Sequence, residues 1–153
     1  MMAVHLALYK GHGQVGNVFI RWWTGSIYSH CELVVDGVCY SSSVMDKGVR
    51  SKPVGFGAGE IDLRSEHWDL VDLRWADANR VVEYFAASDD DRYGWPSLIL
   101  SQFLNLNRPV RHAQFCSEWC ANALGLPNAP SYSPSTLGQL CAWLASGRLA
   151  ISQ

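Results

Sequence analysis

His30 and Cys116 are the two residues of this 153-residue chain whose surroundings best suit chemistry. His30 sits in Tyr28-Ser-His30-Cys-Glu-Leu-Val-Val-Asp-Gly37, a short apolar run that ends on a turn signal, so its imidazole is expected on a rigid strand. Cys116 opens Gln114-Phe-Cys116-Ser-Glu-Trp-Cys120, a helix-like run, which would place its sulfur at the positive end of a helix dipole, where the thiolate is favoured. A thiol needs a base, and a base needs orientation. The pair is the minimum for a cysteine nucleophile with a histidine partner.

The elements that would carry them change character once along the chain. Val4–Tyr9, Tyr28–Asp36, Val38–Ser43 and His67–Leu73 read as strands, being short, rich in Val, Leu and Tyr, and bounded by Gly, Asp or Lys. The second half reads as helical. Asp77 is an N-cap for Ala78–Ala87, Trp95-Pro96 opens a helix to about Leu104, Phe115–Leu124 forms a third that stops at Gly125 and Pro127, and Ser133-Pro134 starts a last one through Ala145. A short helix is also expected over Val15–Trp23, and the Gly-rich stretch Val54–Glu60 reads as a loop.

The hairpin after His30 can be read in register. Asp36-Gly37 is a strong two-residue turn signal, and such a loop pairs Val35 with Val38, Val34 with Cys39, Leu33 with Tyr40, Glu32 with Ser41 and His30 with Ser43. Directly paired residues share a face, so His30, Glu32, Val34, Cys39, Ser41 and Ser43 point one way, and Cys31, Leu33, Val35, Val38, Tyr40 and Ser42 the other. A purely structural strand would more often carry Leu or Val at both His30 and Glu32.

Ser29-His30-x-Glu-Leu-Val-Val-Asp-Gly, followed by a strand, by Tyr93-Gly94 and last by Phe115-Cys116-Ser117-Glu118, resembles the circularly permuted branch of the NlpC/P60 superfamily of papain-like cysteine hydrolases. In ordinary members the cysteine comes first; here it comes last. The resemblance spans about Val4 to Leu124 and rests on short motifs. It implies an α+β fold, a small antiparallel β-sheet packed against helices with the nucleophile on the first turn of one, as a single domain over residues 1–153. Position by position, Cys116 resembles the nucleophile, His30 the general base and Tyr93 the tyrosine bordering the cleft. The third catalytic position, a polar residue on the strand after the histidine strand, matches Ser41 on the register above. The family usually has His, Asn, Gln or Glu there, and Ser43 or Glu32 takes the role if the register differs.

The activity implied is acyl transfer to sulfur, with a peptide or small acyl compound as substrate and with neither cofactor nor metal required. An amide or peptide bond, as in cell-wall peptides, is the favoured target. Lipid ester chemistry on the same fold is the alternative: Trp22-Trp23 and the Trp95-Pro-Ser-Leu-Ile-Leu segment could give it an apolar entrance, but a basic amphipathic helix is missing. A binding module that kept the fold and lost the activity is the other alternative, favoured by a serine in the third position. A zinc site from His112, Cys116 and Cys120 is a weaker rival, since a structural site needs a fourth ligand and His112 follows Pro109-Val-Arg, ahead of the helix.

Bulk properties narrow the classes. Twelve Lys and Arg against fourteen Asp and Glu give a net charge of −2 without a like-charge run, so no nucleic-acid footprint is visible. Five cysteines, an odd number at irregular spacing, argue against a disulfide scaffold and for reduced thiols; Cys31, Cys39, Cys120 and Cys141 read as small core residues. His5, His12 and His67 show no partner in the sequence. The start Met-Met-Ala-Val-His lacks the basic leader of a signal peptide, which gives an expectation of cytoplasmic synthesis, with a phage or secretion system as the route to a cell wall. The longest apolar stretch, Trp95 to Leu106, is broken by Pro96, Ser97, Ser101, Gln102 and Asn105, so no membrane insertion is expected.

Overall fold

The computed structural model describes residues 2–11, 27–43, 45–64, 66–93 and 113–147. Five strands form an antiparallel sheet: β1 (Val4–Tyr9), β2 (His30–Val35), β3 (Val38–Ser43), β4 (Gly48–Pro53) and β5 (Trp68–Asp72). Two short strands, β6 (Arg92–Tyr93) and β7 (Ala113–Gln114), extend it, giving the order β5-β1-β2-β3-β4-β6-β7 with only the last pair parallel. Among the described residues three α-helices, α1 (Ala78–Ser88), α2 (Cys116–Ala123) and α3 (Pro134–Ala145), follow the five main strands in the chain, with β6 and β7 between α1 and α2, so the fold is α+β.

The sheet follows from two-residue periodicity. Val4, Leu6 and Leu8 of β1 join Cys31, Leu33 and Val35 of β2 in one buried cluster with Trp119, Cys120 and Leu137 of the helices, whereas Ala7, Val34, Cys39 and Trp68 form a second cluster. β1 pairs with β2 from Val4–Val35 to Tyr9–His30, and with β5 from His5–Asp72 to Tyr9–Trp68. The hairpin turns on Asp36 and Gly37, at φ 53° and 77°, the left-handed pair that a two-residue loop between twisted strands requires.

The register after that turn is the expected one at Val35–Val38, Val34–Cys39 and Leu33–Tyr40, but the ladder stops there. The expected pairs Glu32–Ser41 and His30–Ser43 do not form; instead the Ser41 hydroxyl donates to the Cys31 carbonyl at 2.7 Å. The two strands therefore part at the end that carries His30. β4, paired to β3 from Val38–Pro53 to Ser43–Gly48, is a strand the sequence did not announce.

The helices begin where their caps say. The Asp77 carboxylate accepts from the Asn79 amide at 2.9 Å, and the Ser133 hydroxyl accepts from the Thr136 amide at 3.2 Å. α2 is capped one residue before the cysteine, at Phe115, whose amide donates to the N3 carboxylate of Glu118. It lies against β2 with Cys120 and Cys31 sulfurs 3.8 Å apart, and Trp119 Nε1 donates to Ser88 Oγ of α1 at 2.9 Å. The expected helices over Val15–Trp23 and from Trp95 to Leu104 lie outside the described residues.

Candidate active site

Cys116 is the first residue of α2, and its position is set from both sides. Ahead of it, the Ser42 hydroxyl of β3 donates to the Gln114 carbonyl at 2.5 Å, while the Gln114 side chain donates to Asp91 and accepts from Tyr84 and Asn122. Behind it, Ser117 Oγ donates to the Tyr132 carbonyl at 2.6 Å. The first turn of a helix carries the positive end of its dipole, and that is where the sulfur sits. Only 4% of Cys116 is exposed.

His30 is the first residue of β2, where its ring packs edge-on to Trp68 at 6.4 Å between centroids. Nε2 lies 2.8 Å from Glu32 Oε1. A carboxylate can only accept, so Nε2 carries a proton and donates, which leaves Nδ1 for the thiol. Burial pushes the imidazole down, but the Cys116 sulfur, as charge and hydrogen-bond partner, and then Glu32 outweigh it and raise His30 to about 10. The Cys116 thiol is held well below its ordinary 9.0 by a hydrogen bond from Cys31 and, against the opposing effect of burial, by the charge and hydrogen bond of His30. Cys31 is pushed the other way, first by burial and then by its sulfur neighbours, so it stays a thiol and can donate. The favoured state is an imidazolium–thiolate pair, its sulfur buried and its imidazole half-buried.

Glu32 completes the row. It is 1% exposed, and burial alone would raise its carboxyl; hydrogen bonds from Arg50 and His30 reverse that and hold it below 4.5. Arg50 Nη1 donates to Glu32 Oε2 at 2.5 Å and Nη2 donates to Oε1. Arg50 stands on β4 opposite Ser41, so its guanidinium crosses over β3 to reach β2. A serine is small enough to be crossed.

Of the four residues singled out in the sequence, the structure brings Cys116 and His30 together. Ser41 is engaged elsewhere, its hydroxyl spent on the Cys31 carbonyl where the β2–β3 ladder has parted, and Glu32, two residues along the histidine's own strand, holds the imidazole. Ser41→Ala is accordingly expected to cost about 1 kcal/mol of stability while leaving the reactivity of Cys116 unchanged, as read from a denaturant titration and a rate of thiol alkylation. The Tyr93 backbone pairs with Gln114 in β6 and β7, two residues ahead of Cys116, and its side chain lies outside what the structure describes, as does His112 of the zinc alternative. Arg50 was not foreseen as a site residue. The signal for Arg50 was a fully buried glutamate that must have a cation.

The pair makes stability depend on pH in a definite way. His30, with its pKa raised from 6.5, contributes stability fully below 6.5 and loses it as pH rises towards about 10. Cys116, with its pKa lowered from 9.0, contributes fully above 9.0 and loses its part as pH falls. Between those two values the slopes cancel, because folding only moves one proton from sulfur to nitrogen. The melting-temperature difference between wild type and His30→Gln is therefore expected to be level from about pH 6.5 to 9 and to shrink on both sides; a steady slope through neutrality would contradict the ion pair.

No family model matches the chain, and neither a curated protein nor a solved structure matches it. Among the described residues, no helix is long and apolar enough to cross a membrane.

Proposed function

We propose that this chain is a cysteine hydrolase of the permuted NlpC/P60, papain-like type that cleaves an amide or peptide bond through a thioester on Cys116. The observation that carries the reading is the row Cys116–His30–Glu32, in which a helix-start sulfur meets an imidazole whose far nitrogen is tied to an ionised carboxylate.

In the first step the Cys116 thiolate attacks the acyl carbon and the carbonyl electrons move onto oxygen. Backbone N–H groups of the first turn of α2 receive that oxyanion. The intermediate collapses, the C–N bond breaks, and the His30 imidazolium gives its Nδ1 proton to the departing amine. Neutral His30 then takes a proton from water, the hydroxide adds to the thioester, and the C–S bond breaks to release the acid and restore the thiolate. Glu32 holds the ring through Nε2 during both transfers.

The test is to incubate the protein with peptide amides, the matching esters and a phospholipid, and to look for an acyl mass on the Cys116 peptide that hydroxylamine removes. Acylation from amides, absent in Cys116→Ala, supports the reading. Acylation from the phospholipid alone moves the substrate to lipid esters. A reactive Cys116 that no donor acylates overturns the hydrolase.

A further inference from the structure

We propose that Arg50 is a positioning residue for His30, acting through Glu32 from two strands away. The inference rests on reading Cys116 and His30 as the reacting pair, and it adds a part that neither the sequence nor the resemblance assigned. All three guanidinium nitrogens are committed. Nη1 and Nη2 fork onto the two oxygens of Glu32, and Nε donates to Asp46 Oδ2 at 3.0 Å. Asp46 in turn accepts from Lys52 Nζ at 2.7 and 2.8 Å. Charges thus alternate from the surface inward: Lys52, Asp46, Arg50, Glu32, His30, Cys116.

The physical need for Arg50 lies at Glu32. A buried carboxylate facing only an imidazolium can discharge itself by taking a proton, and it can turn about its own side-chain bonds. The fork prevents both, since a bidentate guanidinium supplies a fixed charge and fixes the carboxylate plane. That plane sets where Nε2 points, and so where Nδ1 meets the sulfur. Ser41 provides the passage, being the small residue directly opposite Arg50 on the intervening strand.

Asp46, the other carboxyl of the row, is pushed up by burial but held below the ordinary carboxylate range by hydrogen bonds from Lys52 and Arg50. The Cys39 thiol, which feels both Glu32 and Arg50, is pushed up to about 12, chiefly by burial. Cys31 behind Cys116 is likewise raised, Tyr9 of β1 pairs with His30, and Lys52 pairs with Asp46 on the far side of Arg50. Without Arg50 the burial of Glu32 is offset by His30 alone, and its carboxyl titrates upward. Once protonated it no longer anchors the imidazolium, and the Cys116 thiolate takes up its proton at a higher pH.

The experiment is the site-resolved rate of iodoacetamide alkylation at Cys116 from pH 4 to 10, in wild type, Arg50→Met, Arg50→Lys and Glu32→Gln, with circular dichroism as a check of folding. The expected result is an acid-side inflection that moves up by about one pH unit in Arg50→Met, a loss in rate that approaches ten-fold on the acid side of the wild-type inflection. Arg50→Lys, which keeps the charge and loses the fork, is expected to fall between, and Arg50→Met in a Glu32→Gln background to add no further change. Folded Arg50→Met with the wild-type profile overturns the inference and leaves the Cys–His reading standing. If Arg50→Met does not fold, Arg50→Lys decides: a loss approaching about three-fold on the acid side of the wild-type inflection supports the inference and an unchanged profile overturns it. An ordinary thiol profile at Cys116 in wild type is a different failure, that of the reacting pair itself.

Discussion

Replacing His30 by glutamine is expected to lower acyl-bond hydrolysis by about 10²–10⁴ at pH 7, the usual loss for a positioned general acid–base group. The reason is specific to this site. On the proposed mechanism His30 would do two things at once: its charge holds the Cys116 pKa down, and its Nδ1 proton would go to the leaving group. Glutamine can still donate to Glu32 but cannot carry the charge or pass the proton. The measurement is the initial rate on an amide that acylates Cys116, together with the thermal melt of the same variant. A rate within a few-fold of wild type would show that the imidazole is structural.

Glu32→Ala should have the largest effect on stability, about 3–5 kcal/mol, or a melting-temperature fall on the order of 10 °C. The glutamate is fully buried, and its removal leaves Arg50, whose side chain is 14% exposed, with only Asp46 as counter-ion. The loss comes from the stranded cation more than from the missing pair. Removing both charges at once, in Glu32→Leu with Arg50→Met, is therefore expected to recover most of the stability, because apolar groups of similar volume replace a buried ion pair at little cost. Reactivity at Cys116 should not recover with it. Calorimetry and alkylation of the same three proteins separate the two effects; a double variant that regains both would mean that the row merely holds the sheet together.

The parts of this fold that the sequence announced are those governed by local chemistry. β1 showed through Val4, Leu6 and Leu8, the hairpin register through Asp36-Gly37, and α1 and α3 through the caps Asp77 and Ser133. β4 did not show, because Gly48-Val-Arg-Ser-Lys-Pro53 has low strand propensity and no apolar alternation. It is held instead by ion pairs, Arg50 with Glu32 of β2 and Lys52 with Asp46 in the turn just before β4.

The site divides the same way. Cys116 could be placed because a helix start is a local feature, and His30 because a strand before a tight turn is another. The orienting group could not, since an ideal hairpin sets Ser41 opposite Glu32, whereas the real strands part just ahead of Leu33–Tyr40. That parting turns Ser41 to the backbone and frees Glu32 for the imidazole.

The most direct test of the ion pair is the alkylation rate of each of the five thiols against pH, read by peptide mass mapping. The account predicts that Cys116 reacts alone between about pH 5 and 7, well below the free-thiol value near 8.5, while Cys31, Cys39, Cys120 and Cys141 stay silent. A Cys116 that reacts no faster than the other four, with its rate rising only near pH 8.5, would contradict the imidazolium–thiolate pair and the function built on it.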